Sequence, residues 1–156
     1  MRKHDDLDLV ELIAGLLEAD GRSLAVAESL TCGRLVSTLG RGSDTKTWLR
    51  GGVVAYQAEV KQRVLGVTPG PVITARCAEE LAIGAAQLFA ADVAISTTGA
   101  GGPGPEEGEP AGTVYLGWSV DGAVGSMRCD FDGDPDGILS QTVHAALQQL
   151  EALLRD

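Results

Sequence analysis

Apolar positions follow two alternating rhythms along this chain. Leu9, Val10, Ile13, Leu16 and Leu17 recur at helical spacing with Asp5 and Asp6 available as caps, so residues 6–19 are predicted as an amphipathic helix that Asp20-Gly21 ends. Ser23-Leu24-Ala25-Val26-Ala27 is a short, nearly continuous apolar run, which suits a buried strand. A second helix is predicted over 31–40, where Leu35, Val36 and Leu39 share a face. A strand follows at Gly51–Tyr56, then a short helix over 58–65 carrying Val60, Val64 and Leu65. Thr74 reads as the cap of a longer helix whose buried stripe is Ala78, Leu81, Ala82, Ala85 and Leu88. Asp92–Thr97 is strand-like again, and residues 99–112, rich in Gly and Pro, read as a loop. Residues 113–120 and 123–131 alternate as strands joined by the two-residue hairpin signal Asp121-Gly122. The last helix is predicted over 136–154, with Leu139, Val143, Ala146, Leu147, Leu150 and Leu154 inward.

Helix and strand therefore alternate, with one terminal hairpin. That order predicts an α/β protein: a three-layer α/β/α sandwich around a mixed β-sheet, as a single domain over residues 1–156. Ligands in such sheets settle beyond the carboxyl ends of the strands. Three segments are predicted to lie there: 28–33, 56–61 and 98–104.

Charge narrows the partners. Twelve basic and 22 acidic side chains leave a formal charge of −10, which argues against nucleic acid or an anionic membrane surface as the partner. Cys32, Cys77 and Cys129 are an odd number with no CxxC pair, the usage of a reduced, cytoplasmic chain without a disulfide framework or zinc site. The N-terminus turns acidic before any apolar run and has no signal-peptide shape. No apolar stretch approaches the roughly 18 residues of a membrane helix.

Three constellations carry chemistry. In Glu28-Ser29-Leu30-Thr31-Cys32-Gly33 a strand ends in two polar residues and runs into a helix, where unpaired first-turn amides would stabilise an anion or an oxyanion. Capping by Ser29 or Thr31 explains the same residues. Tyr56 ends a strand, and Lys61 lies at the border of an apolar helical face. A partly desolvated lysine there can act as base for a serine, whereas a snorkelling surface lysine is the commoner case. Thr98-Gly99-Ala100-Gly101-Gly102-Pro103-Gly104 brings backbone amides close to a ligand. It also satisfies G-x-G-x-x-G, but the proline-rich stretch that follows cannot form the helix a dinucleotide site requires. Glu106, Glu107 and Glu109 read as a solvated acidic loop before a metal site. Ser43-x-x-Lys46 lacks the companion motifs of penicillin-recognising enzymes, and His144 reads as structural or exposed.

Together these stretches resemble the C-terminal domain of the CinA (competence/damage-inducible) family, whose enzymatic members are nicotinamide-nucleotide amidases. The similar segments are AESLTCGRL at 27–35, GGVVAYQAEVKQRVLGV at 51–67, TGAGGP at 98–103 and PAGTVYLGW at 110–118. The resemblance runs from about residue 7 to 155. It lacks the nucleotide-pyrophosphatase-like domain of larger members, which implies a stand-alone deamidase-type protein. It implies hydrolysis of nicotinamide mononucleotide, a pyridine mononucleotide, to nicotinate mononucleotide and ammonia, without metal or cofactor, in a homodimer. It also implies Ser29 as nucleophile, Lys61 as its base and Tyr56 as an aligning residue. Glu28, Thr31, Gly33, Thr98, Gly99 and Gly102 would form the substrate pocket. Three departures stand out. Cys32 occupies the middle of a motif that usually reads T-G-G, Gly101 replaces alanine, and Pro135 and Leu139 stand where arginines are typical. The competing reading is a catalytically impaired paralogue that binds a nucleotide or a protein partner without turnover. A third is an amidase for a related pyridine or pterin-like amide.

Overall fold

The computed structural model describes residues 4–156. The first helix, α1 (Asp6–Asp20), starts where sequence places it. The Asp5 side chain accepts from the Asp8 amide at 2.8 Å and Asp8 reciprocates on the Asp5 amide, while Gly21 closes the helix in the left-handed region at φ 63°. There follow β1 (Leu24–Glu28), α2 (Arg34–Leu39), α3 (Thr45–Trp48), β2 (Leu49–Val54), α4 (Ala58–Leu65) and α5 (Ala75–Phe89). The chain continues through β3 (Val93–Gly99), β4 (Thr113–Val120), β5 (Ala123–Asp130) and α6 (Pro135–Arg155).

The five strands form one mixed sheet in the order β2-β1-β3-β4-β5. β1 pairs parallel with both β2 and β3, and the β3–β4 and β4–β5 pairs are antiparallel. The hairpin turns at Asp121 and Gly122, both at positive φ as a tight two-residue turn demands. Strand alternation divides the core in two. Leu24, Val26, Val93, Ile95, Val114 and Leu116 face one side and pack with Ile13, Leu17, Leu35, Leu39, Trp48, Leu147 and Leu150 from the helices α1, α2, α3 and α6. Ala25, Ala27 and Ala94 face the other side and meet Leu65, Cys77, Leu81, Ala82 and Ala85 from α4 and α5. The three-layer α/β/α arrangement around a mixed sheet follows from those two clusters.

Four elements differ from the sequence reading, among them β2, which runs over Leu49–Val54 rather than Gly51–Tyr56 and so leaves Tyr56 two residues beyond its end. α2 begins at Arg34 rather than 31, because Cys32 (φ 50°) and Gly33 (φ 102°) hold the chain in left-handed turns before it. The short α3 has too few residues for an apolar period to register. β3 runs on to Gly99, because pairing with β4 extends two residues past Thr97.

Candidate functional site

β1, β2 and β3 run parallel, so their carboxyl ends lie along one rim of the sheet. From β1 the chain crosses to β2 on one side and returns to β3 on the other, which leaves a crevice at the point of reversal. A cavity of about 180 Å³ opens there. Each strand end contributes to its wall: Ser29 and Leu30 after β1, Tyr56 and Lys61 after β2, and Thr98, Gly99, Gly101 and Gly102 at the end of β3. Val72, Ile73, Glu106, Pro135 and Leu139 complete most of the lining.

Ser29 is held by its backbone. Its amide donates to the Thr97 carbonyl at 3.1 Å, continuing the β1–β3 ladder one residue beyond the strand, and the residue is 6% exposed. Lys61 is 2% exposed, an unusual state for a lysine. Its position within the short α4 turns the side chain inward, and its Nζ donates to the Tyr56 carbonyl oxygen at 3.1 Å. Burial lowers its proton affinity below that of an ordinary lysine, opposed by the Cys77 thiol and the Glu107 and Glu106 carboxylates. Cys77 lies beside Thr98, and burial pushes its thiol up to about 11 against the pull of Lys61. It is therefore a neutral, inert neighbour at physiological pH. Thr98 donates from Oγ1 to the Val72 carbonyl at 2.7 Å and so holds one wall of the cavity to the rim.

Three of the residues expected to touch substrate lie elsewhere. The Glu28 side chain shares the β1 face of Leu24 and Val26, and its two carboxylate oxygens accept from the Leu35 and Val36 amides at 2.9 Å each. It ties α2 to β1 and is absent from the cavity wall. The same bonds take up the first-turn amides that had suggested an anion site. The Cys32 and Arg34 amides are likewise engaged, with the carbonyls of Ser29 and Thr31. Thr31 is fully buried and its hydroxyl bonds that of Thr97 at 2.8 Å, so it braces the turn rather than lining the pocket. Gly33 sits at the cap of α2, where φ 102° requires glycine. The period-2 alternation of Leu24, Val26 and Glu28 was the available sign that Glu28 would turn away from the α4 side.

The sequence departures also find physical meaning. Cys32 is exposed at φ 50°, a conformation glycine adopts without cost, and it is not part of the cavity wall. At Gly101 an added methyl would meet only Leu30 and Leu139 at ordinary contact distance, 3.8 Å or more, so the two residues are interchangeable in space. Pro135 and Leu139 do line the cavity, which makes that stretch of wall apolar.

Sequence reasoning missed the acidic clamp. Glu107 accepts from the Val72 and Ile73 amides at 3.0 and 2.7 Å and pins the glycine-rich loop over the cavity, while Glu109 faces Arg128 at 3.6 Å. Those engagements speak for structural roles of these two carboxylates. Nothing local in the sequence links Glu107 to a segment about 35 residues earlier. The Ser43–Lys46 pair is not part of the cavity wall, and His144 Nδ1 bonds Asp6 at 2.7 Å, tying α6 to α1. No helix among the described residues is long and apolar enough to cross a membrane.

Comparison with known proteins agrees with the fold. Residues 6–154 match the family model of the CinA C-terminal domain. Protein YdeJ of Escherichia coli K12 is 36% identical over 159 residues, covering 96% of this chain and 92% of that protein. A putative competence-damage inducible protein of Bacillus velezensis is 33% identical over 95% of this chain but only 38% of its own length, so this chain spans well under half of that longer relative. Among solved structures, a competence-damaged protein (CinA) superfamily protein from Klebsiella pneumoniae superposes with a TM-score of 0.93 at 33% identity, covering 97% of this chain and 99% of that one.

Proposed function

Because the chain belongs to the family of the CinA C-terminal domain, we propose that it is an amidohydrolase in which Ser29 attacks a carboxamide carbon and Lys61 serves as base. The observation that carries this reading is a lysine almost wholly withdrawn from water, its charge disfavoured by burial, in one cavity with a serine at a strand end. A neutral Nζ takes the Ser29 proton as Oγ adds to the carbonyl. The developing oxyanion is met by backbone N–H groups of the lining residues Leu30, Gly101 and Gly102, the Ser29 amide being engaged by Thr97. The proton on Lys61 then passes to the departing nitrogen, releasing ammonia and leaving an acyl ester on Ser29. Water activated by the same amine cleaves that ester and restores the hydroxyl. Tyr56 aligns Lys61 through its main-chain oxygen, while its side chain is 65% exposed at the cavity mouth.

Nicotinamide mononucleotide, converted to the nicotinate form, is the substrate that the family resemblance points to, and the chain would act on it as a cytoplasmic homodimer. The alternative of a binding protein without turnover draws on the apolar wall at Pro135 and Leu139, which offers a phosphate no cation. An ammonia-release assay separates the two. Ser29→Ala and Lys61→Ala each lower the rate by about a thousandfold or more, as loss of a nucleophile or its base does, while circular dichroism shows an unchanged fold. The wild-type rate rises with pH along a limb below the ordinary lysine value, as Lys61 gives up its proton. Full activity in either variant would refute the assignment.

A further inference from the structure

In the amidase reading, on which this inference rests, Lys61 is neutral before the reaction and an ammonium between its two proton transfers. That ion forms in a place that suits the neutral amine. The side chain is 2% exposed, and its Nζ has the Tyr56 carbonyl oxygen at 3.1 Å as hydrogen-bond partner. An ammonium withdrawn from water is costly unless a negative charge lies near. Tyr56 faces it with that carbonyl, Cys77 with a thiol from α5, and Glu106 and Glu107 act on it from the loop after β3. Glu59 and Arg63 on its own helix face each other at 3.9 Å in solvent, and Glu80, further along α5, is taken by Thr68. The Cys77 thiol, pushed up to about 11, carries no charge at neutral pH. The loop carboxylates remain, and Glu107 acts on Lys61 more strongly than Glu106 does.

Glu107 is also the carboxylate whose place is fixed. Its Oε1 accepts from the Val72 amide at 3.0 Å and from the Ile73 amide at 2.7 Å, and its Oε2 accepts from Val72 at 3.0 Å. The Val72 carbonyl in turn accepts from Thr98 Oγ1 at 2.7 Å. Val72, Ile73, Thr98 and Lys61 all line the cavity, so one chain of bonds runs from the loop through the wall to β3. Held by two amides, Glu107 does not close on Lys61 as an ion pair, an arrangement that would keep the amine charged and useless as a base. It supplies a field and leaves the proton free to move.

We propose that Glu107 is a positioning residue of the reaction: its oxygens hold the Val72–Ile73 wall against Thr98, and its charge supports the Lys61 ammonium that forms between the two proton transfers.

The test uses the full chain with nicotinamide mononucleotide as probe and reads ammonia release across pH. Glu107→Gln keeps an oxygen for the two Oε1 bonds and drops the charge. Its rising limb of kcat/KM moves to lower pH by roughly half a unit, the reach of a solvent-exposed charge, because Lys61 sheds its proton more readily once the carboxylate is gone. Its plateau kcat falls by about threefold to tenfold, as a weaker base and an unsupported ion require, while KM stays near that of wild type. Glu107→Ala, which also releases the wall, adds a rise in KM of about fivefold. A limb in Glu107→Gln that keeps its wild-type place or moves to higher pH overturns the proposal, since a purely structural clamp would move KM and stability alone. The chain has three lysines, Lys3, Lys46 and Lys61, so a second readout needs no turnover: the carbon NMR shift of the Lys61 ε-methylene followed through pH. If the wild type releases no ammonia, the amidase reading fails and that titration decides by itself. A lower midpoint in Glu107→Gln than in wild type sustains Glu107 as the charge that serves Lys61, and an equal or higher one overturns it.

Discussion

The two faces of the sheet are packed by opposite means. Towards α1, α2 and α6 the strands present Leu24, Val26, Ile95, Val114 and Leu116, and the gap is filled by leucine, isoleucine and Trp48. Towards α5 they present Ala25, Ala27, Ala94, Ser96 and Gly117, and the helix lies so close that the Ser96 hydroxyl donates to the Ala78 carbonyl at 2.6 Å. The thick face draws its stability from apolar area, about 25 cal/mol per Å² removed from water. The thin face holds positions: it brings Cys77 on α5, Lys61 on α4 and Thr98 on β3 into one neighbourhood. Bulk suits the first task and close approach the second, because side chains of one or two atoms leave little freedom for a helix to shift.

One carbon atom should weigh differently on the two sides. At Gly117 an added Cβ would fall 2.1 Å from the Ala78 carbonyl oxygen and 2.6 Å from Ser96 Oγ, and the α5 backbone has no room to yield. Gly117→Ala therefore costs about 3 kcal/mol or more, at or beyond the upper end of overpacking, and impairs any activity by displacing α5 from the site. Urea unfolding with a ligand-binding assay reads both effects. Removing one carbon from the thick face, as in Ile13→Val, costs about 1 kcal/mol and leaves ligand binding unchanged. A larger loss for Ile13→Val than for Gly117→Ala would break the comparison.

The smallest effect concerns Lys61, the charged side chain buried on the thin side. Burial lowers the proton affinity of Lys61 in the folded chain, so the unfolded chain keeps that proton to higher pH. Stability consequently climbs as pH rises from the folded value of Lys61 to the ordinary lysine value. Cys77 carries the opposite sign: its contribution is present below the ordinary thiol value of 9.0 and is lost as pH rises towards about 11. Lys61→Met, which keeps the apolar stem and drops the charge, raises stability at neutral pH and removes the climbing part of the profile, leaving the decline due to Cys77. Urea midpoints measured across the alkaline range check the sign of each component.

Several features were legible without coordinates because their causes are local. The Asp5 and Thr74 caps, the Asp121-Gly122 turn and the stripes of α1, α5 and α6 each depend on residues within one or two turns of one another. So did the grouping of Ser29, Tyr56, Lys61, Thr98, Gly99 and Gly102 at one rim, because strand–helix alternation dictates which ends of parallel strands lie together. Roles that depend on which way a side chain turns were less accessible. Glu28 and Ser29 are adjacent in sequence, yet one braces α2 while the other borders the cavity, and a strand's alternation changes that outcome with a single residue.

What the order of residues determined by itself is the set of elements, their alternation and the rim where chemistry collects, since periodicity, capping and turn propensity act over a few positions. The tertiary structure alone decided that Glu107 would clamp residues 72 and 73, that Glu28 would close on α2, and that Lys61 would be almost fully withdrawn from water. Those outcomes join segments far apart along the chain, and their energies exist only once the sheet and both helix layers have come together.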